Sequence, residues 1–165
     1  MALNERLEAE LLEDEDENED TQEDKFLTFV LADEEYGIEI RYVTEIIGMQ
    51  KITEVPDVPS YIRGVINLRG KVIPVMDVRL RFGLPERPYD ERTCVVVINV
   101  AEQAVGLIVD RVSEVLDIPK SEIEPPPQVK KGSGSRFIEG LGKVGDTVKI
   151  LLNAEKLLFD EGGSS

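Results

Sequence analysis

The sequence predicts an all-β fold: two tandem, five-stranded β-barrel subdomains that share a core, with only short helices. Three observations predict it. Apolar residues cluster in runs of five to seven bounded by turn-forming residues, which is the signature of short strands. The pattern of one half of the chain returns in the other half. The chain has 165 residues and 41% apolar content, enough for a packed core.

Residues 1–24 stand apart. They hold 12 acids and one base, Arg6, and so carry −11 of the chain's −15. The run Glu13-Asp14-Glu15-Asp16-Glu17-Asn18-Glu19-Asp20 repels itself and buries nothing, so 1–24 is expected to be a disordered, solvating tail. No basic start followed by an apolar stretch is present, so no secretory signal is expected.

The strand pattern begins at residue 25. Phe26–Leu31 reads as a buried strand, ended by the acidic turn Asp33-Glu34-Glu35. Tyr36, Ile38 and Ile40 alternate with Gly37 and Glu39, as on a half-buried strand. Ile40, Val43, Ile46 and Ile47 then space by three and four, which predicts one helical turn with Thr44 and Glu45 outward. Val72–Met76 is a further strand, with Pro74 at an edge or bulge. Asp77 is an N-cap for a short helix from Val78 to Phe82, stopped by Gly83.

The second half repeats the first. Residues 26–47 lie on 95–116 at a shift of 69, with Ala32/Ala101, Gly37/Gly106, Val43/Val112 and Glu45/Glu114 identical. Residues 61–77 lie on 137–153 at a shift of 76, pairing Gly64 with Gly140 and Asp77 with Asn153. The difference of seven residues belongs in the loop-like stretch 125–135. The organisation is therefore 25–88 for the first subdomain, 89–160 for the second, and 161–165 for a flexible end. Halves this small are marginal alone, which is why a shared core is expected.

Composition closes several function classes. There is no His, and Cys94 is the only Cys, so a Cys/His zinc site, an internal disulfide and a histidine base are all excluded. No cofactor is indicated, and Gly64–Gly70 lacks the spacing of a phosphate-binding glycine loop. The acidity and the 5% aromatic content argue against nucleic acid. No apolar run approaches the 18 residues of a membrane span. Binding is the better reading. The segment 61–92 carries seven bases against four acids, and Glu45 sits among apolar neighbours. Each feature reads either as a contact surface or as an ordinary solvated charge.

Glu35-Tyr36-Gly37-Ile38-Glu39-Ile40, Tyr61-Ile62-Arg63-Gly64-Val65-Ile66-Asn67-Leu68-Arg69-Gly70 and Ile73-Pro74-Val75-Met76-Asp77 resemble the CheW-like domain family of bacterial chemotaxis. Val105–Asp110 and Gly140-Leu141-Gly142 match the family's second half. The resemblance covers about 25–159, and this length suits the family's stand-alone adaptor form better than its kinase or receiver fusions. It implies two SH3-like barrels and a non-enzymatic cytoplasmic adaptor, recruited to membrane receptor clusters. Its partners would be the regulatory domain of the histidine kinase CheA and the cytoplasmic tip of methyl-accepting chemoreceptors. The adaptor would be a monomer in isolation, without direct membrane insertion, and would join arrays. The resemblance places Val43, Glu45, Ile46, Gly64, Arg69, Gly70, Gly106 and Val115 in receptor or kinase coupling, and puts Val129 near a second, array-forming surface.

Overall fold

The structure is a computed structural model that describes residues 23–126 and 135–160. The acidic run and Val129 lie outside the described residues. The strands are β1 (Lys25–Leu31), β2 (Glu34–Glu39), β3 (Val43–Gly48), β4 (Ile62–Leu68), β5 (Lys71–Asp77) and β6 (Cys94–Val100). They continue with β7 (Gln103–Val109), β8 (Arg111–Asp117), β9 (Ile123–Glu124), β10 (Ile138–Val144) and β11 (Thr147–Leu152). Two short helices follow aspartate and asparagine caps: α1 (Val78–Arg81) and α2 (Ala154–Phe159). Asp77 Oδ1 accepts from the Arg79 amide at 3.0 Å, and Asn153 Oδ1 from the Lys156 amide at 2.9 Å.

The strands form two sheets, with orders β8-β1-β2-β11-β10-β9 and β3-β6-β7-β5-β4. The shifts of 69 and 76 residues superpose β3, β6, β7, β5 and β4 on β8, β1, β2, β11 and β10, so the sheets are copies of one design. Each sheet draws strands from both halves of the sequence. The β1–β2 hairpin lies with β8–β11, and the β6–β7 hairpin lies with β3–β5. One sheet is thus continuous in sequence, over 43–109, and the other gathers both ends of the chain. The position near residue 89 is a boundary between repeats but not between sheets.

Parallel joints make the exchange. Val75 pairs with Gly106 where β5 meets β7, and Leu151 pairs with Gly37 where β11 meets β2. The hairpins themselves are tight. Ala32 and Asp33, Arg69 and Gly70, and Ala101 and Glu102 all have positive φ, the geometry of two-residue turns that match strand twist. Each sheet also rolls. After β3 the chain crosses to β4, where Thr53 and Val65 exchange two backbone hydrogen bonds of 2.9 Å. β9 does the same for β10.

Burial explains why the strands read as continuous apolar runs. On β6, Cys94, Val96, Ile98 and Val100 face the core shared by both sheets, while Val95 and Val97 face the interior of their own sheet. On β1, Leu27, Phe29 and Leu31 enter the shared core and Phe26 enters its own sheet's interior. The rings of Phe29, Tyr36, Phe82 and Phe137 run through the shared core with successive centroids 5.5–6.1 Å apart.

The helical turn expected around 40–47 is a single 3-10 turn at Ile40–Tyr42. The three-residue spacing beyond it arises otherwise. The β3–β6 register slips between Val43 and Glu45, so Val43 and Ile46 both face the core from a strand.

Because the fragment 25–88 carries a complete set of strands for neither sheet, it should not fold alone. The whole chain should unfold in one transition. Dispersed amide resonances from that fragment, or two separate calorimetric transitions of the intact chain, would contradict this.

Candidate functional site

The predicted residues fall into three environments. Val43 and Ile46 are buried in the shared core, and Val115 on β8 is half-buried against it, opposite Leu27 of β1. Gly64, Gly70 and Gly106 serve the backbone. Glu45 and Arg69 are the charged members.

Gly64 sits at a slip in the β4–β5 register with φ +145°. A Cβ there would lie 2.2 Å from the Thr53 carbonyl oxygen, inside the bridge that closes the sheet. At Gly106 a Cβ would meet Val95 Cγ1 at 2.6 Å on β6 and Val75 Cγ1 at 3.1 Å across the parallel joint. Gly70 is a turn residue whose amide donates to Asn67 Oδ1 at 2.8 Å. Backbone geometry accounts for all three.

Glu45 and Arg69 meet each other. Arg69 stands in the β4–β5 turn with its side chain 71% exposed, and it forms an ion pair with Glu45, which is 19% exposed on β3. β3 and β4 are the two ends of the strand order, so the pair forms only because the sheet rolls up. Glu45 pairs in register with Val97, which faces the interior of its own sheet, so the ion pair lies on the face of β3 opposite Val43 and Ile46.

The basic excess of 61–92 is largely consumed by neighbouring acids. Arg63 pairs with Glu86 at 2.9 Å and lies 5.9 Å above the Tyr89 ring, while Tyr89 donates to Asp77 Oδ2 at 2.8 Å. Burial and that aspartate push the Tyr89 hydroxyl well above the usual tyrosine range. Arg79 forks onto both oxygens of Asp110 at 2.8 Å. Asp110 also accepts from the Ala32 amide at 3.0 Å and from Arg87 at 3.2 Å. This knot ties α1, the β1–β2 turn and the 84–90 link together.

Arg81 is the most buried base among the described residues. It donates from Nε to the Leu157 carbonyl at 2.9 Å and from Nη2 to the Asp160 carbonyl at 2.7 Å, which satisfies the free end of α2. Its guanidinium lies 4.3 Å from the Tyr61 ring centroid and 4.6 Å from that of Phe137. Sequence reading placed Arg79 and Arg81 together in a basic patch. Their separate roles depend on acceptors 31 and 76 residues away.

Cys94 is buried, and burial pushes its thiol up, so it is a poor nucleophile. Among the described residues no group of His, Cys, Asp and Glu is arranged to hold a metal ion. No helix among them is long and apolar enough to cross a membrane.

Two repeated β sheets on a common core, with an ion pair at the rim of one of them, define a β-sheet interaction module. The CheW-like domain description matches residues 25–161, and the chain belongs to that family. It is 41% identical to the chemotaxis protein CheW of Klebsiella aerogenes over 137 residues, 83% of this chain and 82% of that protein. It is 36% identical to that of Bacillus subtilis over 142 residues, 86% of this chain and 91% of that protein. The crystal structure of the scaffolding protein TtCheW from Thermoanaerobacter tengcongensis superposes with a TM-score of 0.77. It shares 39% identity and covers 85% of this chain and 94% of that one.

Two predictions follow from the charges. Arg81→Ala should destabilise the fold by about 2–4 kcal/mol, because it leaves buried carbonyls unpaired, and chemical denaturation measures this. Asp110 supplies a pH dependence. Burial raises its carboxyl, but the Arg79 fork, the Ala32 amide and Arg87 outweigh this and hold it below the usual carboxylate range. A group lowered in the folded state stabilises above its unfolded value, and that contribution disappears as pH falls through the folded value. Asp110→Asn should therefore lower stability at pH 7 and flatten its fall below about pH 4. Parallel acid limbs for the two proteins would contradict the assignment.

Proposed function

We propose that this protein is a non-enzymatic chemotaxis adaptor that couples chemoreceptors to the histidine kinase CheA and transmits receptor state to kinase activity. Membership of the CheW-like family, over nearly all of the described chain, is the observation that supports the reading. The partners are the cytoplasmic tip of a methyl-accepting chemoreceptor and the kinase regulatory domain. The protein works in the cytoplasm, is a monomer alone, and is held at receptor clusters.

An adaptor of this kind transmits a signal only through differential affinity for receptor or kinase states. A coupling of about 1–3 kcal/mol gives 5–150-fold regulation. Two sheets fixed on one core suit the task, because two surfaces then keep a constant mutual geometry. The proposed docking region has two parts: the junction between the sheets, above Val43, Ile46 and Val115, and the rim of one sheet, where Glu45 and Arg69 meet. Gly64, Gly70 and Gly106 contribute by holding the strands that carry it. Val129 belongs to a second proposed surface.

Pull-down with a receptor cytoplasmic fragment and with the CheA regulatory domain tests the reading. Capture of neither would refute it. Glu45→Ala and Arg69→Ala should each weaken one of these complexes by about 1–4 kcal/mol. For Arg69→Ala stability should change by less than about 1 kcal/mol, since that side chain is largely exposed. Unchanged affinity for both partners, with stability lowered, would make the pair a purely structural clasp.

A further inference from the structure

Outside that region one surface has charges that the fold leaves uncompensated. Arg87, Arg92 and Arg111 line a polar pocket together with Val30, Asp33 and Asp110. Asp110 is already held by Arg79 and Arg87, and Arg87 also reaches Asp90 at 3.3 Å. Arg92 and Arg111 are exposed, and among the described residues neither has an ion-pair partner within 4.0 Å. Among the residues lining the pocket, only Asp33 remains to oppose them. Each of these two exposed guanidiniums offers a planar fork of donors that a carboxylate can accept bidentately.

The same chain carries the complementary charge. Residues 13–20 hold seven acids and no base. Their reach fits. β1 leads from Lys25 to Val30, and Val30 pairs directly with Arg111. That is about 17 Å of strand at ~3.3 Å per residue. Glu17 lies eight residues before Lys25, a tether of up to about 27 Å. A tether this short gives an effective concentration in the millimolar range, enough to populate contacts that are individually weak.

We propose that the acidic segment 13–20 docks within its own chain on the pocket formed by Arg87, Arg92 and Arg111. The contact is electrostatic and exchanging, and it adds little to stability, as exposed ion pairs do. It makes this segment an internal competitor for any acidic peptide that approaches the pocket. The inference stands independently of the adaptor reading.

Paramagnetic relaxation measures the contact in the full chain. Cys94→Val removes the native thiol, and a nitroxide on Glu17→Cys should broaden the amides of 87–93 and 110–112 selectively at low salt. Broadening should vanish at 0.5 M NaCl, where screening is short-ranged, and in Arg92→Glu/Arg111→Glu. Asp33→Asn should increase it. If Cys94→Val fails to fold, the native chain serves instead. There the Arg92→Glu/Arg111→Glu pair should shift the amide resonances of 13–20. Broadening centred on Lys51 or Lys71, persistence after arginine reversal, or transfer to an unlabelled second chain in a mixed sample would overturn the proposal. So would unmoved 13–20 resonances.

Discussion

Two parallel strand joints hold this molecule together. β5 lies beside β7 and β11 beside β2, and each joint attaches a hairpin from one repeat to strands of the other. Without them neither sheet has its full set of strands, and the inward faces of β1 and β6 have no common core to enter. The joints depend on close approach. Gly106 and Gly37 occupy equivalent positions in them, and a Cβ at either would press on Val75 or Leu151 across the joint, at 3.1 and 2.9 Å. The stability of a chain this size then comes from one core shared by two sheets rather than from two small ones.

Charge is placed to secure the same connection. Arg81 reaches from α1, in the middle of the sequence, to the carbonyl end of α2 near its close. Asp110 gathers Arg79, Arg87 and the Ala32 amide at the point where the two hairpin exchanges pass each other. Lys149, buried on β11, pairs with Glu35 on β2 across the other joint. These groups are desolvated, so each is worth keeping only with its acceptors present, and each ties elements distant in sequence.

Surface chemistry is what remains after those contacts are made. Arg69 and Glu45 satisfy each other at the rim of a rolled sheet, which leaves them available to a partner that offers a better geometry. Arg92 and Arg111 have no such neighbour among the described residues. A local excess of bases in sequence therefore resolves into structural, paired and uncompensated arginines, and only the last two kinds can take part in recognition without unfolding something.

The all-β class, the repeat and the two helix caps are legible in the sequence. These follow from local chemistry: apolar runs, turn residues, and side chains that bond their own backbone within a few residues. It also singled out Glu45 and Arg69 as charges beside apolar runs. It could not show that they meet, because the strands bearing them are opposite ends of a sheet that must first curl. Spacing by three at Val43 and Ile46 looked helical, because a bulge and a helical turn leave the same trace in one dimension. Which repeat supplies which hairpin was decided only by the tertiary structure. Equivalent strands carry equivalent patterns, so pairing within a repeat and pairing between repeats satisfy the same local rules. Burying one common core selects between them.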